Sequence, residues 1–383
     1  MSDISRRDLV KSSAGVVAAL AATAALPSRL SAAVHTLRRG KIEPRIKFAV
    51  IGMDHGHISS MTAAVIRGGG EVAAIYSKDP AQKAAFARRY PNAKVANEEK
   101  EILEDKSIKL VASASIPVDR APLGVRVMQH GKDFMVDKPG ITTLAQLAEV
   151  RKVQKETKQI YSISFSERFD NASTVKAGEL VKAGAIGTVI QTLGMGPHRI
   201  SPETRQPWFW DPNQAGGILC DIGSHQFDQF LFFTGSTSGE IVSAQVRNVS
   251  HPDHPAFQDF GDVMVRGNGG TGYIRMDWFT PDGLPIWGDG RLTILGTEGY
   301  IELRKYVDIA GRPGGSHLFI TDKKAVQYID AKSTVLTYGP ALVDDVLNRT
   351  ETAMPQAHAF LATELALKAQ DKATVLKPGA HPA

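Results

Sequence analysis

One cysteine, Cys220, stands in 383 residues, so no intramolecular disulfide can brace the chain, even in an oxidising compartment. Charge of one sign is also scarce. The formal net charge is +5, and residues 1–33 carry Arg6, Arg7, Lys11 and Arg29 against Asp3 and Asp8, which leaves +3 spread over the remainder. So small and scattered a surplus gives no footing to a nucleic-acid partner. Long apolar runs are missing too: the alanine-rich segment 12–26 falls short of the roughly 20 apolar residues that a membrane-spanning helix needs. What is present is a globular composition, 43% hydrophobic and 22% charged, over a length sufficient for two domains with separate cores.

The first residues read Ser5-Arg6-Arg7-Asp8-Leu9-Val10-Lys11, ahead of that weakly apolar run, and Ser31-Ala32-Ala33 offers a small-residue cleavage site. The arrangement resembles a twin-arginine export signal. A basic arm with an amphipathic helix is the other reading. The expectation is an exported, periplasmic protein whose residues 1–33 are removed, followed by a linker over 34–45 and no membrane anchor. Twin-arginine export carries substrates that have already folded, often around a cofactor, and so points towards a tightly held ligand.

From residue 46 onwards apolar runs alternate with helical periodicity. Strands are expected at 46–51, 71–76, 110–114, 133–136 and 160–165, with helices at 58–66, 80–89, 121–130 and 143–157. Strand-helix alternation predicts a doubly wound parallel sheet, an α/β dinucleotide-binding domain over 46–165. Beyond it the rhythm changes. A helix at 172–182, a strand at 189–195, a Pro- and Trp-rich loop and a helix at 217–233 precede strand-like runs at 241–249, 262–266, 272–279, 291–295, 300–303 and 317–321, and helical pattern over 344–372 closes the chain. Successive strands without helices between them predict an α+β second domain, 166–383, with an open, largely antiparallel sheet.

The turn after the first strand reads "VIGMDHGHI" over 50–58. A dinucleotide turn needs glycines so that backbone N–H groups can approach a pyrophosphate at a helix N-terminus. Only Gly52 falls on the G-x-G-x-x-G frame; Asp54 and His57 take the other two glycine places, and Gly56 adds flexibility one position early. Asp54 costs binding unless it turns away, for example to cap the helix. Ser77 and Lys78, at the end of the second strand, suit a ribose 2′-phosphate better than a free hydroxyl, which tilts the choice between NAD and NADP slightly towards NADP; an ordinary polar strand end explains them equally well. A metal site on "DHGH" is disfavoured, because Asp54, His55 and His57 are too crowded on one turn to converge on an ion without help from elsewhere. The loop His251-Pro252-Asp253-His254 reads as solvated, and no metal is expected.

Asp137-Lys138-Pro139 follows a strand, where ligands of parallel sheets gather. A lysine is usually a solvated surface charge, but this position and the fixed proline angle raise its standing. In "GGILCDIGSHQFD", residues 216–228, a helix would set Asp221, His225 and Asp228 on one face, and a carboxylate one turn from an imidazole suits a general base. A helix cap beside a satisfied, half-buried histidine is the plainer alternative.

Taken together, the glycine turn, "DKP", "GGILCDIGSHQFD" and the echoes Ser166-Glu167-Arg168-Phe169, Ala185-Ile186-Gly187 and Gly296-Thr297-Glu298-Gly299 resemble the Gfo/Idh/MocA oxidoreductases over nearly the whole chain from Ile46. The resemblance implies a catalytic set of Lys138, Asp221 and His225. In it His225 removes a hydroxyl proton, Asp221 holds His225 or the substrate, and Lys138 bonds the reacting oxygen or places the nicotinamide ribose. It implies NAD or NADP on Gly52, Met53, Asp54, His55, Gly56, His57, Ser77, Lys78, Ser115, Pro117, Asp137 and Lys138. Arg168, His198, Trp208 and Trp210 are expected at the substrate; the aromatic pair could stack on a sugar ring or simply pack. The expected reaction is hydride transfer between nicotinamide and a hydroxyl-bearing carbon of a sugar, polyol or related cyclic alcohol, in a homodimer or homotetramer. Two alternatives stand beside it: an NAD-dependent glycoside hydrolase or lyase, which shares every one of these residues, and a cofactor-less sugar-binding protein, for which Asp54 is the best support. Asp137 stands for the family's usual glutamate, and Arg120 in "IPVDRAPLG" for a usual histidine, which would alter the pocket wall.

Overall fold

A computed structural model describes residues 43–377, so the expected export signal lies outside the described residues. The first sheet contains β1 (Ile46–Ile51), β2 (Gly70–Tyr76), β3 (Lys94–Val95), β4 (Ile108–Ser113), β5 (Asp133–Asp137) and β6 (Tyr161–Ser164). All neighbours pair parallel in the order β3-β2-β1-β4-β5-β6. Strands buried on both faces read as unbroken apolar runs, and β1, "IKFAVI", exposes only Lys47. The order reverses between β1 and β4, which opens a crevice outside their carboxyl ends. Lys94–Val95 and the short helix Glu99–Leu103 are additions to the expected pattern. The strand is two exposed residues, too few to show a period.

The second sheet runs β7 (Val189–Pro197), β8 (Gly239–Arg247), β9 (Phe260–Gly267), β10 (Thr271–Asp277), β11 (Arg291–Gly296), β12 (Gly299–Arg304), β13 (His317–Asp322), β14 (Val326–Asp330) and β15 (Thr374–Val375) in sequence. Its spatial order is β14-β13-β12-β11-β7-β10-β9-β8-β15, and only β7–β10 and β8–β15 pair parallel. Burial alternates along β9, β10 and β11, with the helix Gly223–Thr234 packed on β7 and β10. The helix expected over 217–233 is kinked into Ile218–Asp221 and Gly223–Thr234. At the kink the Ser224 hydroxyl donates to the Asp221 carbonyl at 3.0 Å, while His225 N reaches back only three residues, to Ile222 O.

The closing helical pattern also divides, into Tyr338–Asn348 and Gln356–Lys372. Arg349, at φ +57°, ends the first and Pro355 precedes the second. Both helices return towards the first sheet: Tyr338–Asn348 packs on the helix Ile58–Arg67, and Gln356–Lys372 packs on β6 and on the helix Leu144–Thr157. The Gln356 side chain accepts from Tyr161 N at 2.8 Å and donates to Tyr161 O at 3.3 Å, which covers the open edge of β6. One continuous core therefore runs from Ile46 to Ala369.

Candidate active site

Loop 52–57 is strung between strand ends: Gly52 N donates to Tyr76 O at 3.0 Å and His55 N to Ala114 O at 3.0 Å. Gly52 has φ +76°, and a Cβ there would sit 2.6 Å from the Ser115 Cβ, so glycine is required by both backbone and space. Outside β1, β2 and β4 lies a cavity of about 650 Å³, walled among others by Gly52, Asp54, Ser77, Lys78, Ser115 and Arg126. Asp54 does not cap the following helix, whose N-cap is His57 with no side-chain bond. Its carboxylate accepts from Gln82 Nε2 at 3.3 Å instead and remains on the cavity wall. Ser77 is buried, donating to Gln82 Oε1 at 3.1 Å and accepting from Asp79 N at 3.1 Å.

A second cavity, about 350 Å³, begins where the first ends: His55, His57 and Pro117 wall it, and Lys138, Asp221 and His198 face them. The same loop and the same strand end thus serve both cavities. Met53 is buried in the core, and Gly56 walls neither cavity. The shape and donor set suit a dinucleotide laid across both. Gly52 permits close backbone approach, Ser77 and Lys78 lie at the adenosine end, and Pro117 and Lys138 lie at the end where chemistry would occur.

Lys138 Nζ donates to Asp221 Oδ1 at 2.6 Å, with Lys138 buried. Burial raises the Asp221 pKa, but Lys138 outweighs it and holds the carboxyl below its ordinary value. Asp221 therefore anchors Lys138 and not His225, because the kink at Ile222 breaks the regular helical stacking. His225 is buried, outside the cavity lining, with Nδ1 lacking a partner among the described residues. Burial pushes its pKa down to about 3 and that of His198 to about 4.

Beneath the cavity floor Asp137 is fully buried and accepts from His55 Nδ1 at 2.9 Å, His57 Nδ1 at 2.9 Å and Arg120 Nη2 at 3.1 Å. Burial opposes its charge, yet His57, Arg120 and His55 together keep its pKa well below the usual carboxylate range. An ionised carboxylate only accepts, so each ring donates through Nδ1 and, when neutral, presents Nε2 as an acceptor. Burial, then His57, brings the His55 pKa down to about 4. Arg120 also donates to Ser115 O at 2.7 Å and to the Lys138 carbonyl, tying the end of β5 to that of β4.

On one turn Asp54, His55 and His57 cannot converge on an ion without help from elsewhere in the chain. Asp137 provides the missing convergence: its carboxylate and the two Nδ1 atoms lie within 4.8 Å of one another, a grouping that could hold a metal ion. With the Arg120 guanidinium on the same carboxylate, the cluster is already satisfied by hydrogen bonds.

Two expected substrate residues stand elsewhere. Arg168 donates two hydrogen bonds to buried Asp228, from Nε and Nη2, both at 2.7 Å, and packs over Phe169 and Phe232. Asp228 also takes His358 Nε2 at 2.8 Å, which makes this a structural cluster. Trp210 stacks on His254 at 4.0 Å, away from the cavity, while His251 Nδ1 bonds Asp259 at 2.9 Å, so that loop is anchored and not merely solvated. Trp208 and His198 do line the cavity. The sequence reading missed Arg199, Arg205, Trp278 and Trp287 on its walls. They come from two segments, 198–206 after β7 and 278–290 after β10, and the parallel pairing of β7 with β10 brings these together.

Residues 46–165 match the family model described as "Oxidoreductase family, NAD-binding Rossmann fold", and residues 174–302 match the GFO/IDH/MocA C-terminal domain. An oxidoreductase structure from Erwinia carotovora atroseptica is 47% identical, covers 87% of this chain and 100% of its own, and superposes with a TM-score of 0.84. In Bacillus subtilis, scyllo-inositol 2-dehydrogenase (NAD(+)) is 24% identical over 73% of this chain and 81% of its own, and scyllo-inositol 2-dehydrogenase (NADP(+)) IolW is 28% identical over 48% and 52%. The chain spans from about half to about four-fifths of the length of such curated relatives. The chain belongs to the GFO/IDH/MocA oxidoreductases, and its first sheet is that family's NAD-binding fold. It is thus an oxidoreductase of the NAD(P)-dependent class.

Proposed function

We propose that the protein oxidises or reduces a hydroxyl-bearing carbon of a sugar, polyol or related cyclic alcohol in the 350 Å³ cavity, with NAD or NADP as redox partner. The observation that carries this reading is the Lys138–Asp221 ion pair at 2.6 Å on the wall of that cavity. When bound, the nicotinamide supplies the two-electron acceptor or donor.

The chain's own residues do the rest. Lys138 hydrogen-bonds the substrate oxygen, where negative charge develops, and so favours the transition state over the ground state. Asp221 fixes the ammonium group. Three imidazoles feel the Lys138 charge and could take the leaving proton: His55 and His198, which line the cavity, and His225, implied by the resemblance but behind the lining; the Asp137 bond leaves His55 Nε2 free. Polyol chemistry is supported by the two inositol dehydrogenases among the relatives.

Assays with NAD+ and NADP+ on inositols and aldoses test the proposal, with mass spectrometry of any co-purifying dinucleotide. Lys138→Ala should lose about 10²–10³-fold in kcat, and comparing His225→Ala with His55→Gln assigns the proton acceptor. Full activity in both Lys138→Ala and His225→Ala would sink the reading.

Periplasmic export through the twin-arginine route is part of the proposal, supported by residues 5–11 and 31–33. Fractionation of cells making the protein with Arg6 and Arg7 replaced by Lys checks it, with retention in the cytoplasm expected.

A further inference from the structure

The charge on the smaller cavity is one-sided. Arg120, Lys138, Arg199 and Arg205 line it against a single carboxylate, Asp221. Three of the cations are answered: Arg120 by Asp137 at 3.1 Å, Lys138 by Asp221 at 2.6 Å and Arg199 by Asp282 at 3.5 Å. Arg205 has no carboxylate within 4.0 Å among the described residues; Asp221 and Glu203 reach it only through space.

The Arg205 guanidinium is nonetheless fixed. Nε donates to Ile200 O at 2.6 Å and Nη2 to Arg199 O at 3.1 Å, while the plane lies 4.4 Å from the Phe209 ring centre and 4.9 Å from that of Trp278. Carbonyls and rings hold the group without neutralising it, and Nη1 keeps both N–H donors unpaired among the described residues. Three residues further along the same loop, the buried Trp208 Nε1 also lacks an acceptor among the described residues, and Trp208 lines the same cavity. The half-buried Arg205 cation is open to a ligand at the cavity wall, and a buried indole N–H left without an acceptor is unfavourable unless a partner completes it.

We infer that the substrate is an acid: the molecule that presents its hydroxyl to Lys138 also carries a carboxylate, which Arg205 and the Trp208 N–H receive. The inference rests on the reading of this cavity as the oxidoreductase's substrate site. Two donors on Nη1 and one on the indole match the two oxygens of a carboxylate and are few for a phosphate dianion. The aromatic walls Trp208, Phe209, Trp278 and Trp287 fit the ring of a sugar acid such as a uronate.

The full chain, given NAD+ and NADP+, is assayed on glucuronate against glucose and on galacturonate against galactose, with glucose 6-phosphate as a third arm. Binding of the same compounds is followed by tryptophan fluorescence, since three tryptophans line the cavity. The uronates should exceed the neutral sugars in kcat/KM by about 10-fold or more, and Arg205→Gln should remove most of that ratio through KM. Arg205→Lys should keep part of it, and circular dichroism should show both variants folded. A uronate preference that Arg205→Gln leaves untouched, or neutral sugars preferred by the unaltered protein, overturns the inference, as does a preference for glucose 6-phosphate or failure of every acid to bind at millimolar concentration. If glucuronate binds through Arg205 but is oxidised with neither cofactor, the acid site stands and the oxidoreductase reading of the cavity falls. If neutral sugars are oxidised without any preference for acids, that reading stands and the acid inference falls.

Discussion

An imidazole stays neutral where burial outweighs the carboxylates near it, and this cavity is flanked by three held that way, His225 buried and His55 and His198 half-buried. His55 and His198 have pKa values lowered from 6.5 to about 4, and His225 to about 3, with burial the leading cause in each. Because the folded values lie below the unfolded one, these groups support the fold fully above pH 6.5 and less as pH falls towards the folded values. Each adds a slope of up to about 1.4 kcal/mol per pH unit in that window. Asp137 and Asp221 are shifted down as well, so their contribution holds above the unfolded carboxylate range and fails only at more acid pH. Urea midpoints should therefore be level above pH 7 and decline from about pH 6.5. His225→Gln, which removes one of the three, should make the decline shallower, and an unchanged slope would refute this account. Lys138, Asp221 and His225 were all legible in the sequence as motif residues. Their partnerships were not, since helical spacing pairs Asp221 with His225 and cannot foresee the Ser224 hydroxyl taking the Asp221 carbonyl at the kink.

Among the elements, the turn over 52–57 carries most. Its first residue is squeezed against Ser115, 2.6 Å from where a Cβ would stand, at a φ that L side chains rarely adopt. Gly52→Ala must therefore move either the turn or the end of β4, both of which wall the dinucleotide cradle. Calorimetric titration with NAD+ and NADP+ should show affinity lowered by about 10-fold or more, with the sheet itself intact by circular dichroism. Wild-type affinity in that variant would place the pyrophosphate elsewhere. The sequence signalled this turn by position but not by pattern, because two of its three expected glycines are Asp54 and His57. Their tertiary partners account for the difference: Asp54 reaches Gln82, and His57 reaches Asp137 from β5. A motif frame registers neither contact, each lying 28 or more residues away.

For the whole molecule, the bare face of the second sheet is the outstanding surface. Ile190, Leu193, Met264, Tyr273, Leu295 and Tyr300 are exposed by 37–52% on strands β7, β9, β10, β11 and β12. Their neighbours along the strands are buried beneath helices. Apolar faces of this extent are unusual on a monomer. We propose that copies pair face to face through it, giving the homodimer or homotetramer that the family resemblance implies. Sedimentation at micromolar concentration should show an assembly, and Leu193→Glu with Tyr273→Lys should yield monomer. A monomeric unaltered protein would refute the pairing.

Taken by itself, the sequence determined the alternation that builds a parallel sheet and then an open antiparallel one, because apolar periodicity is a local property of strands and helices. It also singled out Lys138, Asp221 and His225, through their motifs and the family resemblance. Tertiary structure alone decided their partners. Lys138 took Asp221, Asp137 took two histidines and an arginine, Arg168 withdrew into a structural cluster, and Arg205 was left uncompensated on the cavity wall. Hydrogen bonds and ion pairs depend on distances of a few ångströms between residues far apart in the chain, and those distances exist only once the two sheets share a core.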